Sequence, residues 1–197
     1  MARTSTPLTT ETPALTFKPV TKSTFEDFVA LFEGRGGPKH CHCLVWRERG
    51  AASKLDLAGR REAMRERVDR REPIGILAYL EGEPVGWCSI APRETYMPLG
   101  GEEYDSNVRV WSLVCFYLRS KLRGQGAGRA LLDEAIRVAS KRGADVVEAY
   151  PVAPDSPSYR FGGFTSMFRA AGFEERGRAG TRRHVMRLRV SSRTLSG

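Results

Sequence analysis

Long apolar runs are missing from this chain. None reaches the roughly 18 consecutive apolar residues that a membrane-crossing helix requires. The N-terminal "MARTSTPLTTETPALT" lacks the apolar centre of a secretory signal; it is rich in Thr and Pro, and residues 1–14, like the closing residues 191–197, read as disordered tails. Cysteine is scarce, with four in 197 residues, which excludes a disulfide scaffold and predicts a reduced, cytoplasmic protein. Histidine is scarcer still, with three. No internal repeat and no low-complexity linker interrupts the middle of the chain, so residues 15–190 are expected to form one domain.

Acidic residues are outnumbered. Lys and Arg total 32 against 23 Asp and Glu, a net charge of +9. That balance suits nucleic acid, an anionic cofactor, or solubility alone. The densest basic run, "GRREAMRERVDRR" (59–71), also carries Glu62, Glu66 and Asp69, as a solvated helix face does. No basic strip interleaved with aromatics is present to stack bases, so neither nucleic acid nor a membrane is expected as a partner.

Periodicity supplies the elements. "LTFKPV" (15–20) reads as a strand, and 21–34 as a helix with Phe25, Phe28, Val29 and Phe32 at three-to-four-residue spacing. Residues 53–71 form a second helix, with Ser53 and Asp56 resembling a capping box. "IGILAYL" (74–80) and "PVGWCSIAP" (84–92) make a β-hairpin, and "VRVWSLVCFYL" (108–118) is apolar enough to lie mid-sheet. A helix over 123–143, a strand over 144–152, a short helix over 164–173 and a closing hairpin complete the order. Alternation in the second half predicts an α/β layer with at least one parallel pairing.

Chemistry concentrates where the apolar strand meets the next helix, at "LVCFYLRSKLRGQGAGRALL". Glycines there let a ligand approach and leave the helix's first N–H groups free, a phosphate site by geometry and dipole. Arg119, Lys121, Arg123 and Arg129 add charge. A dinucleotide fold would need G-x-G-x-x-G, but Gly124, Gly126 and Gly128 are spaced G-x-G-x-G. A P-loop would need Lys-Ser/Thr after its last glycine, where this chain has Arg129 and Ala130. Arg123-x-x-Gly126-x-Gly128 fits a third template, R/Q-x-x-G-x-G/A.

With that loop, "PVGWCSIAPR", "VWSLVCFYLR" and "SMFRAAGF", the chain from about Leu15 to Val190 resembles the GNAT acetyltransferase superfamily. The resemblance implies an α/β GNAT fold: a mixed central sheet of six or seven strands, helices on both faces, and splayed central strands. It implies acetyl-coenzyme A as co-substrate, with no metal. Backbone groups of Phe116 and Leu118, with Tyr117 between them, would hold the pantetheine arm. The N–H groups of Gly124, Gln125, Gly126, Ala127 and Gly128 would hold the pyrophosphate, flanked by Arg123 and Arg129. An N–H near Phe116 would polarise the acetyl carbonyl.

Two departures from the family pattern follow. The Tyr common four residues before the late "GF" glycine is Phe168 here, so Ser166, Tyr159 or Cys115 is expected as the acid, unless the thiolate leaves unaided. The central strand carries Ser112 and no carboxylate, which makes Glu148 on the next strand the candidate base.

Two of the three histidines and two of the four cysteines lie together in "KHCHCLVWR". Four zinc ligands are not assembled by C-x-C alone, and a disulfide across so short a loop is disfavoured. Small cysteines packed under a loop are common. The resemblance instead makes Cys41, Cys43, Trp46 and Arg47 a wall of the acceptor pocket, with His42 facing away if the stretch is extended. The expected acceptor is a small-molecule primary amine. An aminoglycoside-like antibiotic is one version, and it would need Glu94, Glu102, Glu103 or Asp105 to line the pocket. A protein terminus or lysine is the alternative, and a non-enzymatic nucleic-acid-binding domain is a more distant one. Loops 94–107 and 152–163 are long enough to cover a pocket, and the closing hairpin could pair between subunits to make a homodimer.

Overall fold

A computed structural model describes residues 14–48, 54–101 and 104–190. The two tails, Ser53, Glu102 and Glu103 fall outside that set, apart from Ala14, and so does half of the expected capping box. The elements are β1 (Thr16–Pro19), α1 (Phe25–Glu33), α2 (Leu57–Asp69), β2 (Ile76–Leu80), β3 (Glu83–Pro92), β4 (Val110–Leu118), α3 (Ala127–Lys141), β5 (Val146–Ala149), α4 (Thr165–Ala170), β6 (Glu174–Ala179) and β7 (Arg183–Arg189). Asp56 itself caps α2, its Oδ1 accepting from Gly59 N at 2.7 Å.

One seven-stranded sheet runs β1-β2-β3-β4-β5-β7-β6. Every pairing is antiparallel except β4 with β5, the parallel pair expected from the α3 crossover. The period of two in β2 and β3 sends Leu77, Tyr79 and Trp87 to one face, and Ile76, Ala78, Cys88 and Ile90 to the other. On the first face α1 packs Phe28 and Phe32 against the Trp87 ring, with centroids 5.0 and 5.8 Å away. Each such aromatic pair adds about 0.5–1.5 kcal/mol beyond its buried area. On the second face α3 buries Leu131, Leu132, Ala135 and Ala139.

Two irregularities shape the middle of the sheet. Ser89 pairs with Cys115 while Ile90 pairs with Leu113, so Val114 is an extra residue on β4. Such a bulge turns neighbouring side chains toward one side; Val114 and Cys115 both belong to the α1-side core. The second is a parting of strands. β4–β5 pairing ends at Leu113↔Ala149. Beyond it Pro151, which has no N–H to give a ladder, leads the chain away, and Val152 bridges Phe164 and Arg183 instead. Among the described residues, 114–118 of β4 therefore have no strand partner on their β5 side.

Candidate active site

The open edge of β4 borders a cleft of about 490 Å³, lined by Phe116, Leu118, Arg123, Gly128, Phe164 and Met167. At one end stands the start of α3. Gly124 and Gly126 adopt φ of 77° and 80°, a left-handed conformation open to glycine at little cost. Gly126 is the N-cap, and no side chain of the described residues caps the helix. The first-turn N–H groups thus keep the unsatisfied, positively polarised character of a helix N-terminus. A Cβ on Gly128 would come within 3.7 Å of Leu118 Cδ1, so the missing side chain keeps this end of the cleft wide. Gln125 closes the preceding turn by donating to Lys121 O at 2.9 Å. Arg123 leans back along the strand end, its Nε donating to Leu118 O at 3.3 Å. Arg129, expected to flank the loop, turns away from it, bonding Asp133 at 2.8 Å and Ala170 O at 2.9 Å. The Tyr117 side chain points to the opposite face, its hydroxyl donating to Gly36 O at 2.7 Å, and its backbone pairs with Trp87 of β3, so the open edge belongs to Phe116 and Leu118.

Phe161 joins this cleft to a second cavity of about 250 Å³, walled by Cys41, Trp46, Val114, Cys115, Tyr150 and Tyr159. The bulge explains why consecutive residues 114 and 115 both face it. Loop 152–163 forms the cover, and Gly162 lets it lie close: a Cβ there would be 2.7 Å from Tyr150 O. Loop 94–107 contributes nothing to this wall among its described residues; it braces the 44–46 turn through Met97 N to Trp46 O, 2.9 Å. A larger cleft of about 760 Å³ lies at the opposite end of β4, beside Trp111 and the β1–α1 connection, and holds none of the expected site residues.

The His/Cys stretch is not extended. His42 and Cys43 have φ of 44° and 61°, and a 3-10 turn follows at Leu44–Trp46. The tight turn puts Cys41, Cys43 and Trp46 on the cavity. Arg47 leaves it: the side chain is buried, donates to Glu72 Oε1 at 3.2 Å, Thr95 Oγ1 at 3.1 Å and Ile74 O at 3.1 Å, and lies 4.2 Å from the Tyr96 ring centroid. Its contacts tie the turn to the sheet, and the expectation that it walls the pocket is corrected. Cys43 is fully buried and accepts from Trp87 Nε1 at 3.1 Å. A hydrogen bond from Cys115 holds its thiol below the usual value against the effect of burial. Burial pushes the Cys41 thiol up to about 12. No cysteine is in a disulfide, and no group of three or more metal-ligating side chains converges among the described residues.

His42 points away from the cavity, stacked on Phe32 at 5.5 Å and bonded to Glu33 Oε1 at 3.2 Å. Burial holds its pKa below the usual value, a shift only partly opposed by Glu33. The unfolded chain takes up a proton near pH 6.5 that the folded ring refuses, so stability is full above that pH and falls as pH drops through it toward the lower folded value. The urea midpoint should therefore fall between about pH 7.5 and pH 5.5, and fall less in His42→Gln. Equal falls in both proteins would show that the folded ring is charged.

The four expected catalytic residues are scattered. Tyr159 lies on the cavity wall with its ring 6.2 Å from Trp46. Ser166 is exposed on α4 and lines neither cavity. Ser112 is completely buried, its Oγ without a hydrogen-bond partner among the described residues. Glu148 sits opposite Ser112 in the register and is completely buried. Its Oε1 accepts from Arg93 Nη1 at 2.7 Å and from the Tyr150 hydroxyl; its Oε2 accepts from Tyr104 Oη at 2.6 Å and Arg187 Nε at 2.7 Å. A carboxylate offers about four lone-pair sites, and all are taken. Tyr150, whose ring lines the cavity, stands between Glu148 and any acceptor. Neither Tyr104 nor Arg93 was foreseen, because both reach Glu148 from the segment after β3, far away in sequence. Phe168, in place of the family tyrosine, is buried against Phe116 and Phe173.

A family model for the acetyltransferase (GNAT) family matches residues 40–162. The fold is similar to many solved structures. The ribosomal-protein-alanine N-acetyltransferase of Brucella melitensis is 23% identical, with a TM-score of 0.52 over 87% of this chain and 96% of its own. The PaiA N-acetyltransferase of Thermoplasma acidophilum, solved with coenzyme A, is 15% identical, with a TM-score of 0.57 over 89% and 99%. An N-acetyltransferase of Staphylococcus aureus Mu50 is 12% identical, with a TM-score of 0.57 over 90% and 99%. A search of the curated proteins gives no match. No described helix is long and apolar enough to cross a membrane.

Proposed function

The chain belongs to the GNAT family of acetyl-coenzyme A-dependent N-acetyltransferases, and we propose that its acceptor is a primary amine of a small molecule. The observation that carries this is the small size of the second cavity. Its volume of about 250 Å³ equals roughly eight water volumes at about 30 Å³ each. Tyr159 and Phe161 of loop 152–163 roof it, where a folded protein substrate would need a groove.

In this reading, the unpaired edge of residues 114–118 bonds the pantetheine arm as an added strand would. The first turn of α3, from Gly124 to Gly128, takes the pyrophosphate. Phe116 N–H is placed to polarise the thioester carbonyl. The amine nitrogen bonds to the carbonyl carbon, the carbon–sulfur bond breaks, the nitrogen loses a proton and the thiolate gains one.

No carboxylate lines the acceptor cavity among the described residues. An apolar wall and a neighbouring guanidinium, that of Arg183, both disfavour an ammonium, so they favour the neutral nucleophile before any base acts. The same wall disfavours an aminoglycoside-like polycation. Glu94 is exposed, Asp105 borders another cleft beside Tyr104, and neither reaches the cavity. Of the expected acids, Tyr159 and Cys115 line the cavity; the hydrogen bond to Cys43 and burial hold the Cys115 thiol well above its usual value, which leaves Tyr159 to protonate the leaving sulfur. Tyr159→Phe should lower kcat by about 100-fold and leave the KM for acetyl-coenzyme A unchanged; an unaltered kcat would mean that the thiolate leaves unaided.

The direct test is an amine panel read by free thiol release, with mass spectrometry of the product. Acetylation of small amines is the expected result. Acetylation confined to peptide N-termini or to protein lysines would overturn the reading.

A further inference from the structure

Arg183 is the one charged side chain on the acceptor cavity wall among the described residues. It stands at the start of β7, opposite Val152 in an isolated bridge. Three rings surround its guanidinium, whose central carbon lies 4.7 Å from the Trp46 centroid, 5.6 Å from Tyr159 and 5.8 Å from Tyr150. Its Nη1 is shielded from water and has no hydrogen-bond partner among the described residues. No carboxylate of those residues lies within ion-pair distance of it, whereas Arg47 faces Glu72, and Arg93 and Arg187 share Glu148. Burial presses the Arg183 pKa below its ordinary value, a shift that Tyr159 and Tyr150 oppose only in part.

A guanidinium is a rigid fork of N–H donors suited to a carboxylate, which it can grip through two parallel bonds. Rings over the guanidinium hold it in place without using those donors. A half-buried cation with a shielded, idle donor, in a cavity otherwise apolar and aromatic, is half of an ion pair whose other half comes with the ligand.

We propose that the acceptor is a small amino carboxylate, an amine bearing a carboxylate group that docks on Arg183. This inference rests on the small-molecule reading and narrows it. A carboxylate on Arg183 would fix the other end of the molecule, with its amine directed toward Phe161 and the β4 edge. The cavity volume suits one amino acid-sized compound. A protein N-terminus, whose nearest carbonyl is an uncharged amide, would leave the pair unmade.

The test compares kcat/KM, by thiol release, for a set of α-, β- and γ-amino acids, their carboxamides and the corresponding simple amines. Carboxylates should be preferred at least about 100-fold, mostly through KM. Arg183→Gln should bring the ratio of carboxylate to carboxamide close to one while leaving acetyl-coenzyme A affinity unchanged. Arg183→Lys, which keeps the charge and loses the fork, should fall between. Equal use of carboxamides by the wild type, or a preference that survives in Arg183→Gln, would overturn the assignment. If no compound releases thiol, the small-molecule reading fails. The anion site is then decided by binding: tryptophan fluorescence should shift on titration with the same amino carboxylates in the wild type and not in Arg183→Gln, and no shift in the wild type overturns it.

Discussion

Gly126→Asp is expected to weaken acetyl-coenzyme A binding at least about 100-fold, close to 2.8 kcal/mol at 1.4 kcal/mol per tenfold. Two effects combine. Gly126 holds φ at 80° as the N-cap of α3, a conformation in which an ordinary side chain is strained by roughly 1–2 kcal/mol. The added carboxylate would also stand where the helix N-terminus is to meet a pyrophosphate, placing like charges together. Gly126→Asn isolates the charge effect, because Asn matches Asp in shape and in its tolerance of the left-handed region and carries no charge. Calorimetry should give less than about a tenfold loss for Asn, with the Asp defect shrinking at high salt. If the two variants bind equally well, the anion is held elsewhere and the loop assignment fails.

Glu148→Gln should cost about 3 kcal/mol of folding stability, read from urea unfolding. The substitution removes one half of a buried ionic cluster, and breaking such a pair typically costs about 3–5 kcal/mol. The lower figure is apt because the Arg93 and Arg187 side chains keep 24% and 15% of their exposure. An amide can accept from two of the four donors but turns its own N–H groups toward the others. Turnover should fall as Tyr150 loses its anchor, while acetyl-coenzyme A affinity and the shape of the pH–rate profile stay as in the wild type. A profile whose acid limb disappears in the variant would restore Glu148 as the general base. A variant as stable as the wild type would mean that the cluster contributes no net stability.

The contrast between these two residues shows how far the chain could be read without a fold. The pyrophosphate loop depends on neighbours: glycines at 124, 126 and 128, a strand before them and a helix after. All of that is local, so spacing alone carries it. The Glu148 cluster is assembled from Arg93 and Tyr104 of the connection after β3, Tyr150 at the end of β5 and Arg187 of β7. Nothing in the strand around Glu148 announces two guanidiniums, so the sequence points to a desolvated base where the structure has a saturated carboxylate. Arg47 follows the same logic. Sitting one residue from Trp46, it looked like pocket wall, yet its partners are Glu72, Ile74 and Thr95.

The element order, the two-faced sheet and the parallel pairing around α3 were fixed by short-range facts: hydrophobic period, glycine and proline punctuation, and the burial that a continuous apolar strand implies. The Cys-x-Cys turn could be placed after the first helix but not shaped, because left-handed φ at His42 and Cys43 is imposed by packing against Phe32 and Trp87 rather than by local preference. The resemblance implied that the central strands part, but the point at which β4 and β5 separate, the bulge at Val114 and the meeting of Arg183 with Trp46 and Tyr159 were decided by the tertiary structure alone. Each depends on contacts between residues far apart in the chain, and a pocket is made of such contacts.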